Sequence, residues 1–483
     1  MSLSSALSIA QSSIRNTARQ TSVVSRNVLE ANNPDYSRRS AVISSTAPGA
    51  RVVEIQRAAN EQLFRQNLSA LSSWSGQSTL YSGMDRLGIA VNGVDNSSAP
   101  ATAIGRLQEA LQLYSASPSN LNLGENTLDA ARQVVRTLND GALAIQTFRV
   151  EADQEIATSV RELNGLLAEF QDANNLVIAG TRAGGDVSDA LDQRDAALKK
   201  ISEYVPVSTF TRGDNDMVLM TREGATLFET VPRAVSFSPS TGYTAGTSGN
   251  AVYIDGVPVA TGTGAEASGG LAGLVQLRDG VASTMQRQLD EVARGLISAF
   301  AETDPANVQP DRPGLFTWAG APGMPPAGAL VDGLAGTIRL NPVMDSAQGG
   351  NPLLLRDGGA NGAAYVHNAG GSSYADLLIS YGDRIDATMA FDPAAGISPS
   401  SSLADYSTAT IGWFQGLRQE ASRASESREA LAIRTAEALS NQTGVNVDME
   451  MSLLLDLEHS YEASARLIKA VDDMLASLFA AVR

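Results

Sequence analysis

The last 37 residues, 447–483, constrain this chain most. Leu454, Leu457, Tyr461, Ser464, Ile468, Val471, Leu475, Leu478 and Val482 follow one another at alternating spacings of three and four. Only Ser464 is polar in that series, and neither Gly nor Pro interrupts it. The spacing predicts a helix with a narrow apolar seam, which a partner helix must cover. The other end of the chain offers one. Leu7, Ala10, Ile14, Thr17, Thr21, Val24 and Val28 repeat the rhythm over the first 30 residues, with smaller and more polar side chains. Residues 1–60 hold seven arginines against Glu30, Asp35 and Glu54, a net charge of +4. Residues 447–483 hold seven acids against Arg466, Lys469 and Arg483, a net charge of −4. Opposite charge beside two apolar seams favours pairing the ends with each other and disfavours self-pairing of either. Everything else is then inserted between them.

The interior reads as long helices with one β insertion. Helical patterns cover 60–92, 98–117 and, longest of all, 124–180, where the three–four rhythm runs from Leu128 to Val177. A helix of that length spans roughly 80 Å and implies an elongated body. Residues 205–262 change to a period of two in six short runs, with Asp255-Gly256 as a hairpin turn. They read as a self-contained set of hairpins. Helices resume over 268–302, 373–391 and 403–440, and 306–372 is a Gly- and Pro-rich strip with apolar islands at 315–318 and 336–344. The expected fold is mainly α with inserted β: an elongated multidomain chain with paired terminal coiled-coil helices. In domain terms, 1–45 and 445–483 form the terminal coiled-coil region, 46–204 and 268–444 the helical body, and 205–267 the β insertion.

Composition narrows the function. A net charge of −17 argues against nucleic acid or an anionic membrane as partner. With no cysteine there is no thiolate metal site and no cysteine nucleophile. No apolar run approaches the ~18 residues of a membrane span, and the first 30 residues lack the pattern of a cleaved signal peptide. The Gly-rich stretch 261–270 has neither phosphate-loop signature and reads as a linker. His367 and His459 are isolated and read as surface residues. Asp192, Arg194 and Asp195, in the run Leu191-Asp192-Gln193-Arg194-Asp195, read as a solvated helix face. Asp214, Asp216 and Glu223 are the carboxylates on which an acidic secreted enzyme would rest, yet they sit at hairpin turns without His or Lys support. The reading is therefore of no enzyme, cofactor or metal, and of a chain that works by binding.

Several stretches carry a family resemblance. Ser25-Arg26-Asn27-Val28-Leu29-Glu30-Ala31-Asn32-Asn33-Pro34-Asp35-Tyr36-Ser37-Arg38 resembles the start of the bacterial flagellar axial proteins, the rod, hook and hook-associated proteins, with Asp35 where a Gly is usual. Residues 443–450 (Thr-Gly-Val-Asn-Val-Asp-Met-Glu), 461–468 and 471–475 resemble that family's C-terminal signature. The run at 190–198, the segment 268–279 and the stretch Thr337–Pro342 resemble its hook-associated members. The resemblance implies a structural subunit joining hook to filament, with a hook or rod subunit as the alternative. It also implies export by the flagellar type III apparatus and final placement outside the cell. The implied partners are the hook protein, a second junction protein, copies of itself in a tubular array, and a cytoplasmic export chaperone. The residues expected to carry assembly are those of the two seams: Leu7, Ile14, Val24, Val28, Leu454, Leu457, Tyr461, Ile468, Val471, Leu475 and Leu478.

Overall fold

The computed structural model describes residues 3–46, 49–259 and 267–481. Val482 of the C-terminal seam, Ala260 of the last β run and residues 261–266 of the Gly-rich stretch lie outside them. Helix α1 (Leu3–Leu29) is followed by a turn at Asn33, whose side chain accepts from the Asp35 amide at 3.0 Å. Asp35, where a Gly is usual in the resembled family, keeps a negative φ, and Lys199 holds it by a 2.8 Å ion pair. Strands β1 (Arg39–Thr46) and β2 (Gly49–Arg57) form an antiparallel hairpin laid against α1. The sequence pattern did not reveal β2, because a bulge at Val42/Ile43 and exposed charged positions break its alternation. This hairpin straddles residue 45, where the sequence had suggested the end of the terminal region.

The body follows. Asn60 caps α2 (Glu61–Asn92), accepting from the Leu63 amide, and Pro100 opens α3 (Pro100–Ala116). Helix α4 (Leu121–Arg182) runs for 62 residues, roughly 90 Å at 1.5 Å per residue. Gly141 costs helix propensity but allows a close approach: a Cβ there would stand 3.2 Å from the Leu289 side chain. After α5 (Ser188–Tyr204) come two three-stranded antiparallel sheets. The first is β3 (Val207–Thr211), β4 (Met217–Thr221) and β5 (Thr226–Phe228); the second is β6 (Val235–Ser236), β7 (Tyr253–Ile254) and β8 (Val257–Pro258). Asp255 and Gly256 both take positive φ, as a two-residue hairpin turn requires. Then α6 (Gly270–Val275) continues through one π-helical stretch into α7 (Ala282–Ala299). In the loop-rich strip β9 (Phe316–Thr317) pairs with β10 (Arg339–Leu340). The chain closes with α8 (Asp376–Asp386), α9 (Leu403–Thr443) along α2, and α10 (Val447–Ala481) along α1.

Two cores are strung along α4. The first gathers Leu128–Phe148 of α4 with α2, α3, α7, α8, α9 and the loop-rich strip. The second gathers Ile156, Val160, Leu163, Leu167 and Phe170 of α4 with Leu198 and Ile201 of α5. It is completed by Met217, Leu219, Leu227, Phe228, Val235, Val252 and Ile254 of the β insertion. The insertion is therefore not self-contained. Its two small sheets are too short to bury a core alone, so they share one with the lower half of α4.

Candidate assembly interface

Helices α1 and α10 pair antiparallel. Asn27 meets Glu450 and Ser13 meets Ser464, so residue numbers facing each other add to 477. Val24, Leu457 and Val471 are buried in the seam, and Leu7, Ile14, Val28, Leu454, Ile468 and Leu475 are half-buried. Ser464, the polar interruption, is matched by Ser13 across a 2.8 Å hydrogen bond. Tyr461 and Leu478 depart from the seam reading: both are about half exposed. In this register Leu478 lies beyond the start of α1. Tyr461 falls level with Asn16, which is committed to β2 through the Ala50 carbonyl and the Val52 amide.

A second apolar stripe runs beside the covered one. Met449, Leu453, Leu467, Met474 and Leu478 are all exposed. Consecutive residues such as 467 and 468 differ by about 100° around a helix, so this stripe sits roughly a quarter turn from the seam and α1 does not cover it. Apolar side chains gathered on one helix face, here two groups separated by Asp456 and Ser460, mark an interaction face more than singly scattered residues do.

A polar hub fixes the helix pair to the body. Glu450, in the first turn of α10, is fully buried; it accepts from Arg38 Nε at 2.6 Å and Asn27 Nδ2 at 3.0 Å. Asn27 in turn accepts from Tyr36 Oη (2.7 Å) and the Arg39 amide (3.1 Å), and donates to the Arg39 carbonyl (2.8 Å). The Arg38 amide reaches the Thr443 carbonyl at the end of α9 (2.7 Å). Behind this, the Arg39 guanidinium pairs with Asp189 (2.6 Å) and Asp192 (2.8 Å), while Arg57 pairs with Asp192 and Asp195 (2.7 Å each). Arg26 of α1 reaches Asp189 as well. The Asp192/Arg194/Asp195 run is therefore not a solvated face. Asp192 and Arg194 are buried, and Arg194 donates to Asn174 and the Asn215 carbonyl. Burial raises the Asp195 carboxyl above its usual range against the pull of Arg57. For Asp189, burial is outweighed by hydrogen bonds from Arg39 and Arg26, and its carboxyl is held below that range.

Glu450 is the clamp between α10 and the segment after α1. Glu450→Ala removes the acceptor of Arg38 and one acceptor of Asn27, a loss of about 1–3 kcal/mol. The expected readout is amide exchange at least tenfold faster in the first two turns of α10, with α4 unaffected. Unchanged exchange in α10 would show that the seam alone holds it.

No local pattern joins the members of this hub: Arg39 and Arg57 stand 135 to 153 residues from the aspartates they meet, and Arg38 stands 412 residues from Glu450. An excess of arginine in 1–60 was the one signal. The carboxylates of the enzyme reading do not converge. Asp214 pairs with Arg182, Asp216 with Arg212 and Asn174, and Glu223 is exposed at a turn. An open cleft of about 1260 Å³ lies between the turn after α1, α2, α5 and the end of α9; none of these three carboxylates lines it. His367 differs from the surface reading, being half-buried with Nε2 3.0 Å from the Thr303 carbonyl, while His459 is exposed. Among the described residues no group of three His, Asp or Glu side chains is placed to hold a metal ion, and no helix is long and apolar enough to cross a membrane.

Comparison with known proteins adds to this geometry. Residues 93–311 match the pattern of the flagellar hook-associated protein FlgK helical domain. Residues 438–480 match that of the flagellar basal body rod FlgEFG protein C-terminal region. Together the two matches cover more than half of the chain. Flagellar hook-associated protein 1 of Bacillus subtilis (strain 168) is 21% identical over 373 residues, covering 71% of this chain and 68% of that protein. The solved structure of the flagellar hook junction protein FlgK from Burkholderia pseudomallei aligns with a TM-score of 0.43 at 18% identity, over 53% of this chain and 47% of that one.

Proposed function

Because this chain belongs to the flagellar hook-associated protein family, we propose that it joins hook to filament as a structural subunit of the bacterial flagellum. Its work is binding without chemistry. The observation that carries this reading is the exposed apolar stripe of α10, which lies within the matched C-terminal stretch and which the protomer leaves uncovered. In the assembled tube the stripe is buried against neighbouring subunits, and before export the same surface is the one a cytoplasmic chaperone covers. The hook protein below and a second junction protein above are the neighbours of other sequence. Export through the flagellar type III apparatus places the protein outside the cell. A hook or rod position is the second reading, because the C-terminal pattern is shared with rod proteins; the match over 93–311 favours the junction.

The test separates the stripe from the seam. Leu467 and Met474 are exposed, so Leu467→Asp with Met474→Asp changes protomer stability by roughly 0.5 kcal/mol per site or less. Carboxylates buried without partners in the assembly cost several kcal/mol. The expected result is at least a tenfold loss of incorporation at hook tips, with an unchanged melting temperature. Ile468→Asp, in the half-buried seam, should instead separate α1 from α10 in the free protein as well. Normal hook-tip incorporation of the Leu467/Met474 variant would overturn the assembly role of the stripe.

A further inference from the structure

The opposite charges of the two terminal helices do not meet inside the protomer. Arg15 and Arg19 are exposed on α1, one helical turn apart, and neither makes an ion pair among the described residues. Glu458 and Glu462 are exposed on α10 at the same spacing; Glu462 has only a 3.4 Å contact with Arg466 on its own helix. The α1–α10 pair is held by its apolar seam, by Ser13–Ser464 and by the Glu450 clamp, with no salt bridge between the two helices among the described residues. So these four charges of the two helices are left pointing outward.

Its placement is specific. With facing positions adding to 477, Arg15 stands level with Glu462, and Arg19 level with Glu458. Each pair lies on the outer side of its own helix, away from the seam. If a second helix pair is set beside the first at the same height, its α1 comes against the first pair's α10. The two arginines then face the two carboxylates in the antiparallel register the protomer already uses. The contact joins two different surfaces, so it repeats around a ring or helix rather than closing as a dimer. Paired i, i+4 charges across helices also set partner choice and register.

We propose that copies of this chain pack side by side through a heterologous contact in which Arg15 and Arg19 of one copy pair with Glu462 and Glu458 of the next. This rests on the assembly reading given above and adds a second face of α10, on the other side of the helix from the apolar stripe, whose partner is another copy of the chain.

The experiment uses the full chain in cells lacking their own copy, with incorporation measured at the tips of isolated hooks. Arg15→Glu with Arg19→Glu places four like charges at each contact and should lower incorporation at least tenfold, as should Glu458→Arg with Glu462→Arg. The chain carrying all four changes restores every contact with its signs exchanged and should recover incorporation to within about threefold of the natural chain. Because all four residues are exposed, melting temperatures of the purified chains should not move. Normal incorporation of either reversed pair overturns the contact, as does a four-fold variant that stays as defective as the pairs. If the unmodified chain itself is absent from hook tips, the assembly reading fails and the contact falls with it.

Discussion

Replacing residues 205–259 with a short Gly/Ser linker should unfold the lower half of the helical body. The substitution strips cover from Ile156, Val160, Leu163, Leu167 and Phe170 of α4 and from Leu198 and Ile201 of α5. Phe170 also loses its edge-to-face partner Phe228, whose ring centre stands 5.0 Å away. Each large apolar side chain that returns to water costs about 1.5–3 kcal/mol when exposure is complete. With partial exposure the total is of the order of 5–10 kcal/mol, which rivals the net stability of a whole domain. Polar groups add to the loss. Asn164 exchanges hydrogen bonds with the Val235 backbone, and Arg149 and Arg278 donate to the Thr244 and Asn250 carbonyls at 3.3 and 2.9 Å. Thermal unfolding followed by helix content decides the matter. A linker chain that melts in one transition at the natural temperature would show that the insertion is a removable appendage.

Arg278→Leu should be the most damaging single change in that region. Asp153 and Arg278 are almost wholly buried and pair at 2.5 Å. They stitch α4, the π-helical stretch and the insertion, because Asp153 also accepts from the Ser240 amide at 2.7 Å. Removing the cation leaves a carboxylate in a dry site, and breaking such a pair costs roughly 3–5 kcal/mol. Replacing both partners removes both buried charges of the pair and leaves Asp279, partly exposed, with Arg149 at 3.6 Å, so Asp153→Leu with Arg278→Leu should regain much of the loss. Urea denaturation of the two variants measures the difference. Equal destabilisation by the single and double changes would place the cost in lost packing, not in the stranded charge.

The seam of α10 was legible in the sequence because it is local: spacings of three and four are a property of one helix. The same holds for the 62-residue α4, whose apolar rhythm from Leu128 to Val177 marks its buried face with few exceptions. Short strands with turn residues between them were legible for the same reason, and so was the Asp255-Gly256 hairpin. Strand β2 was not, since its pairing partner and the face of α1 beneath it decide which of its residues are inside.

Amino-acid order alone determined that both ends of this chain are amphipathic helices of opposite charge with a helical body and a β segment between them. Periodicity and net charge are one-dimensional quantities and need no fold to be read. Only the tertiary structure decided what those charges do. Arg38, Arg39 and Arg57 turn inward to Glu450 and the aspartates of α5, so a run that reads as solvated is buried and clamped. Arg15, Arg19, Glu458 and Glu462 turn outward and find no partner helix in their own protomer. Which way a charged side chain points depends on what lies beside its helix, and that neighbour is set by packing hundreds of residues away.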